Sequence, residues 1–359
     1  MVYHKYMGTF VFTGGHHNSA LVLAQYFLTQ KHTVYWYGHK RSSRRDQNDS
    51  AEYLEVTANK IKFFNLPAGR ANLNISELMR LPYGYLVALK YLINHQPSAV
   101  ISFGGYLGAT TALAAYTLGI PIYLHEQTVV AGKANKLISR LARRVYLTWD
   151  SSLKFFPKKK SLVVGLPLRS SIIEASPKKL FDRKRPTLLV MGGKQGAHAI
   201  NHFIFEHLSD LLLDFNIVHQ TGTSSETGDY DHALVLRGSL GSLSDSYLPI
   251  GYIAENVIGL YLKSANYYLG RSGAHITYEL LLLQLRAILV PLTHTHQQEQ
   301  RKNALELVKV KQAVVVSQSN LTLENLREAI AELKQLKPEK YTLSGDATEK
   351  VYNDINSTL

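Results

Sequence analysis

The sequence predicts an α/β chain built from two Rossmann-like, doubly wound domains with parallel sheets. Two observations carry this expectation. Short apolar β runs alternate with amphipathic helical stretches through both halves, the pattern of a parallel sheet crossed by helices. One device also occurs twice, an apolar strand running into a Gly-rich turn with a helical pattern behind it. It is met first at Gly8-Thr9-Phe10-Val11-Phe12-Thr13-Gly14-Gly15-His16. It returns at Thr187-Leu188-Leu189-Val190-Met191-Gly192-Gly193-Lys194-Gln195-Gly196. Such a turn aims backbone N–H groups and a helix N-terminus at an anion. Two of them, each opening an α/β half, point to a phosphorylated ligand held in a cleft between similar domains.

Runs of apolar and β-branched residues predict strands near 8–13, 33–38, 60–66, 99–103, 121–126 and 145–149 in the first half. Helical periodicity places helices near 17–31, 75–94, 107–119 and 131–144. In the second half the strands fall near 187–192, 215–221, 234–238, 250–253, 267–270, 287–291 and 313–317. Helices fall near 196–213, 256–265, 273–285, 298–310 and 321–336, and the tail at 346–355 reads as one last helix packing back on the first domain. Residues 161–186 are basic and hold three prolines, which sets a hinge near Gly165. The expected domains are therefore 1–164 with the C-terminal helix 345–359, and 165–344. In sheets of this kind ligands meet the C-terminal ends of the strands.

With 359 residues and 45% apolar content, the chain is long enough for two real cores. The absence of cysteine excludes disulfides and thiolate metal sites and fits a reducing cytoplasm. The N-terminus has no long apolar core of the signal-peptide kind. No window reaches the roughly 18 apolar residues of a membrane span. The expected protein is soluble or peripheral. Charge is informative once it is divided. Residues 1–164 hold 20 Lys and Arg against 7 Asp and Glu, an excess of 13, whereas 165–359 hold 20 of each. The whole surplus of positive charge sits on the first half, which argues for an anionic partner there: nucleic acid, an acidic bilayer surface or a pyrophosphate substrate. Lys158-Lys159-Lys160 reads as a solvated loop, and nucleic acid is not an expected partner.

Further motifs follow the strands. Ser102-Phe103-Gly104-Gly105-Tyr106 supplies glycines for close backbone approach to a ligand. The strand at 121–126 ends in His125-Glu126-Gln127-Thr128, with Gly132 and Asn135 beyond. Buried polar side chains in such a place are paired or meet a ligand. Gly270-Arg271-Ser272-Gly273-Ala274 opens a helix bearing Glu279. Val290-Pro291-Leu292 leads to His294, His296, Gln300 and Asn303-Ala304. His198 and His202, and His294 and His296, are spaced like metal pairs but lack a third ligand, and no metal is expected.

On Thr13-Gly14-Gly15-His16, Gly104-Gly105-Tyr106, His125-Glu126-Gln127 with Gly132 and Asn135, Val164-Gly165 with Pro167 and Arg169, Gly192-Gly193 with Gln195-Gly196, and Arg271-Ser272-Gly273-Ala274 with Glu279, Gln300, Asn303 and Ala304, the chain resembles the MurG family. That family comprises the UDP-N-acetylglucosamine transferases that convert lipid I to lipid II in peptidoglycan synthesis. The resemblance implies a GT-B fold with two domains facing a central cleft, acceptor lipid on the N-terminal domain and UDP-GlcNAc mainly on the C-terminal one. It implies a donor set of Thr13, Gly14, Gly15, Thr128, Arg169, Lys194, Gln195, Ile253, Ala274, His275, Ile276, Thr277, Tyr278, Glu279 and Gln300. Glu279 would accept hydrogen bonds from the ribose hydroxyls, as an ionised acceptor at a helix start. Gly104, Gly105 and Asn135 would serve the acceptor, and His16, Tyr106 and Glu126 the reaction, with His16 as base and His125 or Glu126 as alternatives. The departing UDP would be stabilised by helix dipoles and side-chain donors, with no cofactor.

Three departures from the family pattern stand out. Thr128 replaces Asn, Lys194 replaces Ser, and His275-Ile276 replaces Leu-Thr. They keep open a related glycosyltransferase with another lipid acceptor or sugar, and a UDP-GlcNAc-binding protein of reduced activity. Along 70–91, Arg70, Arg80 and Lys90 interleave with Leu73, Ile75, Leu78, Met79 and Leu81. This is either a core-facing helix or an interfacial patch on the cytoplasmic side of an anionic membrane.

Overall fold

The computed structural model describes residues 7–15, 17–41, 49–69, 80–193, 195–292, 298–339 and 346–359. The chain divides into two units, one of residues 1–168 with 344–359 and the other of 169–343. The division falls after Leu168, a few residues beyond the expected hinge.

The first unit holds seven parallel strands in the order β3-β2-β1-β4-β5-β6-β7. These are β1 Thr9–Thr13, β2 Thr33–Gly38, β3 Lys62–Asn65, β4 Ala99–Ser102, β5 Ile122–Glu126, β6 Arg144–Leu147 and β7 Ser161–Val163. The second unit repeats the plan with six: β10-β9-β8-β11-β12-β13. Its strands are β8 Thr187–Met191, β9 Asn216–Gln220, β10 Tyr247–Ile250, β11 Tyr267–Gly270, β12 Arg286–Leu289 and β13 Ala313–Val315. In each sheet the strand order reverses beside the first strand, between β1 and β4 and again between β8 and β11. Those switch points leave a crevice at the carboxyl ends of the strands. Both Gly-rich turns lie there.

The central strands are buried on both faces, as parallel sheets require, and read as unbroken apolar runs. The helix Ala347–Thr358 belongs to the first unit. Val351 and Ile355 enter its core, Tyr352 Oη meets His32 Nε2 at 3.0 Å, and Tyr146 donates to Asp354 at 2.8 Å.

Several elements differ from the sequence reading. The segment read as a strand at 234–238 lies in a helix, Asp229–Ser239. Asp229 and Asp231 sit in its first turn and Arg237 in its last, favourable charges for the macrodipole. Ala233 is the buried apolar residue of this helix, while Leu234 and Val235 are exposed, so the Leu-Val-Leu run was a misleading strand signal. The expected helix 196–213 is two, His198–Glu206 and Leu208–Asp214, broken at His207. The strand placed at 250–253 runs Tyr247–Ile250 instead. A helix at Ala51–Ala58, N-capped by the Ser50 hydroxyl, and the short β7 were not anticipated. The helix expected over 75–94 is described from Arg80 to His95, and 75–79 lie outside the described residues.

Candidate functional site

In the first unit the two Gly-rich turns at the switch point lie backbone on backbone. Phe103 N donates to Thr13 O at 2.7 Å and Gly15 N to Gly104 O at 3.3 Å. Gly14 has φ +134°, and a Cβ there would stand 2.7 Å from the Phe103 carbonyl carbon. Gly104 has φ +84°, and a Cβ would meet Asn135 Oδ1 at 2.2 Å. Only glycine permits this approach. Thr13 is buried, and its hydroxyl has no hydrogen-bond partner among the described residues. Tyr106 lies in the first turn of the helix Gly105–Thr117 with its ring 5.5 Å from that of His39. His16 lies outside the described residues.

Glu126 ends β5 and is buried. Its Oε1 accepts from Thr128 N at 3.0 Å and from the Thr128 hydroxyl at 2.9 Å. Its Oε2 accepts from Asn135 Nδ2 at 2.8 Å, and Asn135 Oδ1 in turn accepts from Gly105 N at 3.2 Å. A carboxylate gripped by several donors holds its charge and its loop in place. This geometry is that of a bracket for the Gly104-Gly105 turn. Thr128 turns inward to that bracket. The His125 ring stacks 5.2 Å from Phe103, with Nε2 donating to Gly165 O at 3.0 Å. Gln127 is fully buried, and neither polar atom of its amide has a partner among the described residues.

The second unit gathers its residues around β9, β11 and the helix Ala274–Leu283. Arg169 Nε donates to Glu279 Oε1 at 3.0 Å, Nη2 binds the same oxygen, and Nη1 pairs with Glu255 Oε2 at 2.9 Å. Burial raises the Glu279 carboxyl above the usual range, and the Arg169 charge pulls it back down. Glu279 Oε2 has no partner among the described residues. It sits in the second turn of its helix, not at its start, so its acceptor strength owes more to Arg169 than to the helix dipole.

The first turn of that helix presents the N–H groups of Ala274, His275 and Ile276, which lack intrahelical acceptors. The Thr277 hydroxyl donates to Gly273 O at 2.8 Å, and Tyr278 is packed into the interior. These two side chains serve the fold, so their place in the donor set rests on the helix that carries them. Gln300 accepts from Leu292 N through Oε1 at 3.0 Å, and its carbonyl accepts from Ser272 at 2.8 Å. Asn303 donates to Ser272 O at 3.3 Å. Gln195 is exposed on the second turn, Lys194 lies outside the described residues, and the Ile253 N–H donates to Gln220 Oε1 at 3.2 Å. Glu255 and Gln220 were not singled out in the sequence, where nothing but the fold brings them beside this site.

Among the described residues no group of three or more His, Asp and Glu is placed to hold a metal ion, and no helix is long and apolar enough to cross a membrane.

Residues 10–147 match the glycosyltransferase family 28 N-terminal domain, and residues 187–358 match the glycosyltransferase family 28 C-terminal domain. Two Rossmann-like units, each with a Gly-rich turn at its switch point, define a nucleotide-sugar glycosyltransferase of that class. The curated relatives narrow it. A protein of Shouchella clausii named UDP-N-acetylglucosamine–N-acetylmuramyl-(pentapeptide) pyrophosphoryl-undecaprenol N-acetylglucosamine transferase is 32% identical over 284 residues, 76% of this chain and 77% of its own length. One of the same name from Staphylococcus haemolyticus is 27% identical over 97% of this chain and 99% of its own. The chain belongs to this transferase family, the MurG family. The crystal structure of Acinetobacter baumannii MurG shares its fold, with a TM-score of 0.73 and 22% identity over 98% of this chain and 99% of that one. A UDP-GlcNAc 2-epimerase from Neisseria meningitidis, bound to UDP-GlcNAc, also shares the fold at TM-score 0.65 and 15% identity over 97% of this chain and 100% of that one.

Proposed function

We propose that this chain transfers N-acetylglucosamine from UDP-GlcNAc to the C4 hydroxyl of the N-acetylmuramoyl pentapeptide of lipid I, giving lipid II for peptidoglycan. The 32% identity to a relative of that name, across three quarters of both chains, carries the reading. The C-terminal unit holds the donor. Glu279 Oε2, a buried acceptor with no partner among the described residues, suits a ribose hydroxyl, and the first turn of the helix Ala274–Leu283 suits the diphosphate. Arg169, Gln195, Ile253 and Gln300 complete the set, with Lys194 adding a cation beside the diphosphate. The N-terminal unit takes the acceptor at the Thr13-to-Gly15 and Gly104-Gly105 turns.

In the reaction the acceptor oxygen attacks the anomeric carbon from the face opposite UDP. Its proton passes to a base, the bond to the UDP oxygen breaks, and the configuration inverts. His16 is the base, because an imidazole titrates where this transfer needs it. Glu126, already engaged by Thr128 and Asn135, acts by positioning. Helix-terminal N–H groups stabilise the leaving diphosphate.

The first unit also supports a peripheral position on the cytoplasmic face of the membrane. The helix Arg80–His95 buries Gly84, Ala88 and Leu92 and exposes Tyr83, Leu86 and Ile93. The helix Gly105–Thr117 beside it exposes Leu113 and Tyr116, and Lys133, Lys136 and Arg140 are exposed on the next. Apolar tips within a basic fringe suit an anionic bilayer.

The decisive experiment incubates the protein with radiolabelled UDP-GlcNAc and short-chain lipid I, with and without EDTA. Label in the lipid product, chelator present, is the expected result. No labelled lipid under either condition would overturn the proposal.

A further inference from the structure

We infer that Gln220 is a positioning residue of the donor site, whose side-chain amide fastens the 192–196 turn to the Ile253 segment and sets the spacing between them. The inference rests on the donor reading above and extends it to a residue that contacts no reacting atom.

Gln220 is the last residue of β9, the strand between β8 and β10. Side chains alternate along a strand, and the two at its end do different work. His219 meets Asn201 Oδ1 and Tyr247 Oη, each at 3.0 Å. Gln220 bridges two loops. Its Nε2 donates to Gly193 O at 2.7 Å and its Oε1 accepts from Ile253 N at 3.2 Å. Gly193 O also accepts from Gly196 N at 3.1 Å, the bond that closes the turn. A single planar amide therefore grips the turn's closing carbonyl with one end and the Ile253 N–H with the other. A primary amide is the neutral side chain that offers donor and acceptor at a fixed separation.

The backbone beyond Gln220 reinforces the seat. A Cβ on Gly196 would stand 1.9 Å from Thr221 O, so the turn lies directly against the strand's continuation. Gly193 and Gln195 are themselves exposed, so neither of these described residues gives the turn an apolar anchor. Its position is dictated by backbone contact and by Gln220. Gln220 is buried, so its loss would leave the buried Ile253 N–H without this acceptor and Gly193 O with the Gly196 N–H but no side-chain tie to the Ile253 segment. The strand ladder and the apolar core of the unit do not depend on it. The expected damage is to the geometry of the nucleotide site.

The test compares Gln220→Met, which keeps the length and loses both hydrogen bonds, with Gln220→Glu, which keeps the acceptor but sets an oxygen against the Gly193 carbonyl. UDP binding is measured by calorimetry and transfer by steady-state kinetics. The unsubstituted protein must first bind UDP; if it does not, the donor reading has failed and Gln220 is not at issue. Given binding, both variants should raise the Kd for UDP and the KM for UDP-GlcNAc about tenfold or more, the scale of one or two lost buried hydrogen bonds. The KM for lipid I should stay within twofold, with a smaller fall in kcat than the rise in donor KM. An unchanged Kd for UDP in either folded variant would overturn the inference, and so would equal losses toward both substrates. If neither variant folds, amide exchange on the unsubstituted protein decides. The Ile253 N–H should be protected before UDP is added, and free exchange there would refute the bond on which the inference stands.

Discussion

Arg169 and Glu279, 110 residues apart, form a buried ion pair that commits one carboxylate oxygen, Oε1, and leaves Oε2 unpartnered among the described residues. The family motif puts both residues in the donor set without relating them. In the proposed donor site the pairing gives them different duties, Glu279 to meet the nucleotide and Arg169 to offset part of the burial of Glu279 while bridging to Glu255.

Replacing Glu279 with Ala should raise the Kd for UDP-GlcNAc by about 10- to 100-fold, the range for a hydrogen bond to a charged group. Calorimetry checks it, and unchanged affinity would remove Glu279 from the site. Arg169→Ala should behave differently. It strands a buried carboxylate and should cost about 3–5 kcal/mol of stability at neutral pH. Burial already raises the Glu279 carboxyl, and losing Arg169 raises it further. A carboxyl with a raised folded-state pKa favours the fold when protonated, so its stabilising contribution is present at low pH and lost as pH rises through that pKa. The deficit of Arg169→Ala should therefore shrink between pH 7 and pH 5. Urea midpoints that run parallel for the two proteins would contradict this.

His219 makes the opposite prediction. Burial lowers its pKa from 6.5 to about 3, so the folded chain keeps it neutral. A depressed folded-state pKa means stability that is present above pH 6.5 and lost as pH falls toward 3, because the unfolded chain takes up the proton first. Below about pH 6, wild type should lose roughly 1.4 kcal/mol per pH unit more than His219→Gln, the slope of one proton. Equal slopes from pH 6 to pH 4.5 in urea titrations would exclude His219 as the source.

Gly104→Ala tests the bracket built on Glu126 and Asn135. The added methyl collides with Asn135 Oδ1 and is set at φ +84°. The strained backbone alone should cost about 1–3 kcal/mol, and displacing Asn135 frees the Gly105 N–H. Acceptor KM should rise at least tenfold while UDP binding, assigned to the other unit in the proposal, stays within twofold. A matched loss of UDP affinity would refute the proposed division of labour.

His16→Ala should reduce kcat by about 100-fold or more, the usual contribution of a positioned base. Its Kd for UDP-GlcNAc should be unchanged, and the acidic limb of the pH–rate profile should disappear. Retained turnover would shift the role to another group. Glu126→Gln should leave that limb in place, because Glu126 is engaged by Thr128 and Asn135 and acts by positioning.

Much of this architecture was legible because parallel sheets write themselves plainly. Strands buried on both faces must be apolar throughout, and β1, β8 and β11 stand out for that reason. The glycines at 14 and 104 were equally readable, since the close approach they allow admits no other residue. The helix Asp229–Ser239 was not, because Leu234-Val235-Leu236 imitates a strand when its exposure is unknown. Motifs name candidate site residues in the sequence, but residues that act by spanning elements carry no such signal. Nothing near Gln220 in sequence says that Gly193 and Ile253 lie within reach of one amide. Glu126 is the converse case, since a carboxylate at a strand end suggests chemistry, and the three hydrogen bonds from Thr128 and Asn135 that favour a positioning role are not visible in the sequence.

The membrane reading makes the last prediction. A core-facing helix and an interfacial one were alternatives in the sequence, and the helix Arg80–His95 has both a buried side and exposed apolar residues. Gly84, Ala88 and Leu92 satisfy the interior, whereas Tyr83 is 58% and Leu86 61% exposed, with Tyr116 at 60% on the neighbouring helix. The Tyr85 hydroxyl meets Thr117 Oγ1 at 2.9 Å and holds the two helices in register. Because these apolar tips contribute little to the core, Leu86→Asp with Tyr116→Asp should leave the melting temperature within about 2 °C, as surface changes usually do. Removing two apolar anchors should weaken association with phosphatidylglycerol vesicles by about tenfold or more, at roughly 25 cal/mol per Å² of lost burial. Arg80→Glu with Arg140→Glu should weaken it through charge, at about 1 kcal/mol per basic residue, and flatten its dependence on salt. Transfer to a short-chain acceptor in detergent should survive both pairs of substitutions. Co-sedimentation unchanged by either pair would leave the exposed apolar residues without this role.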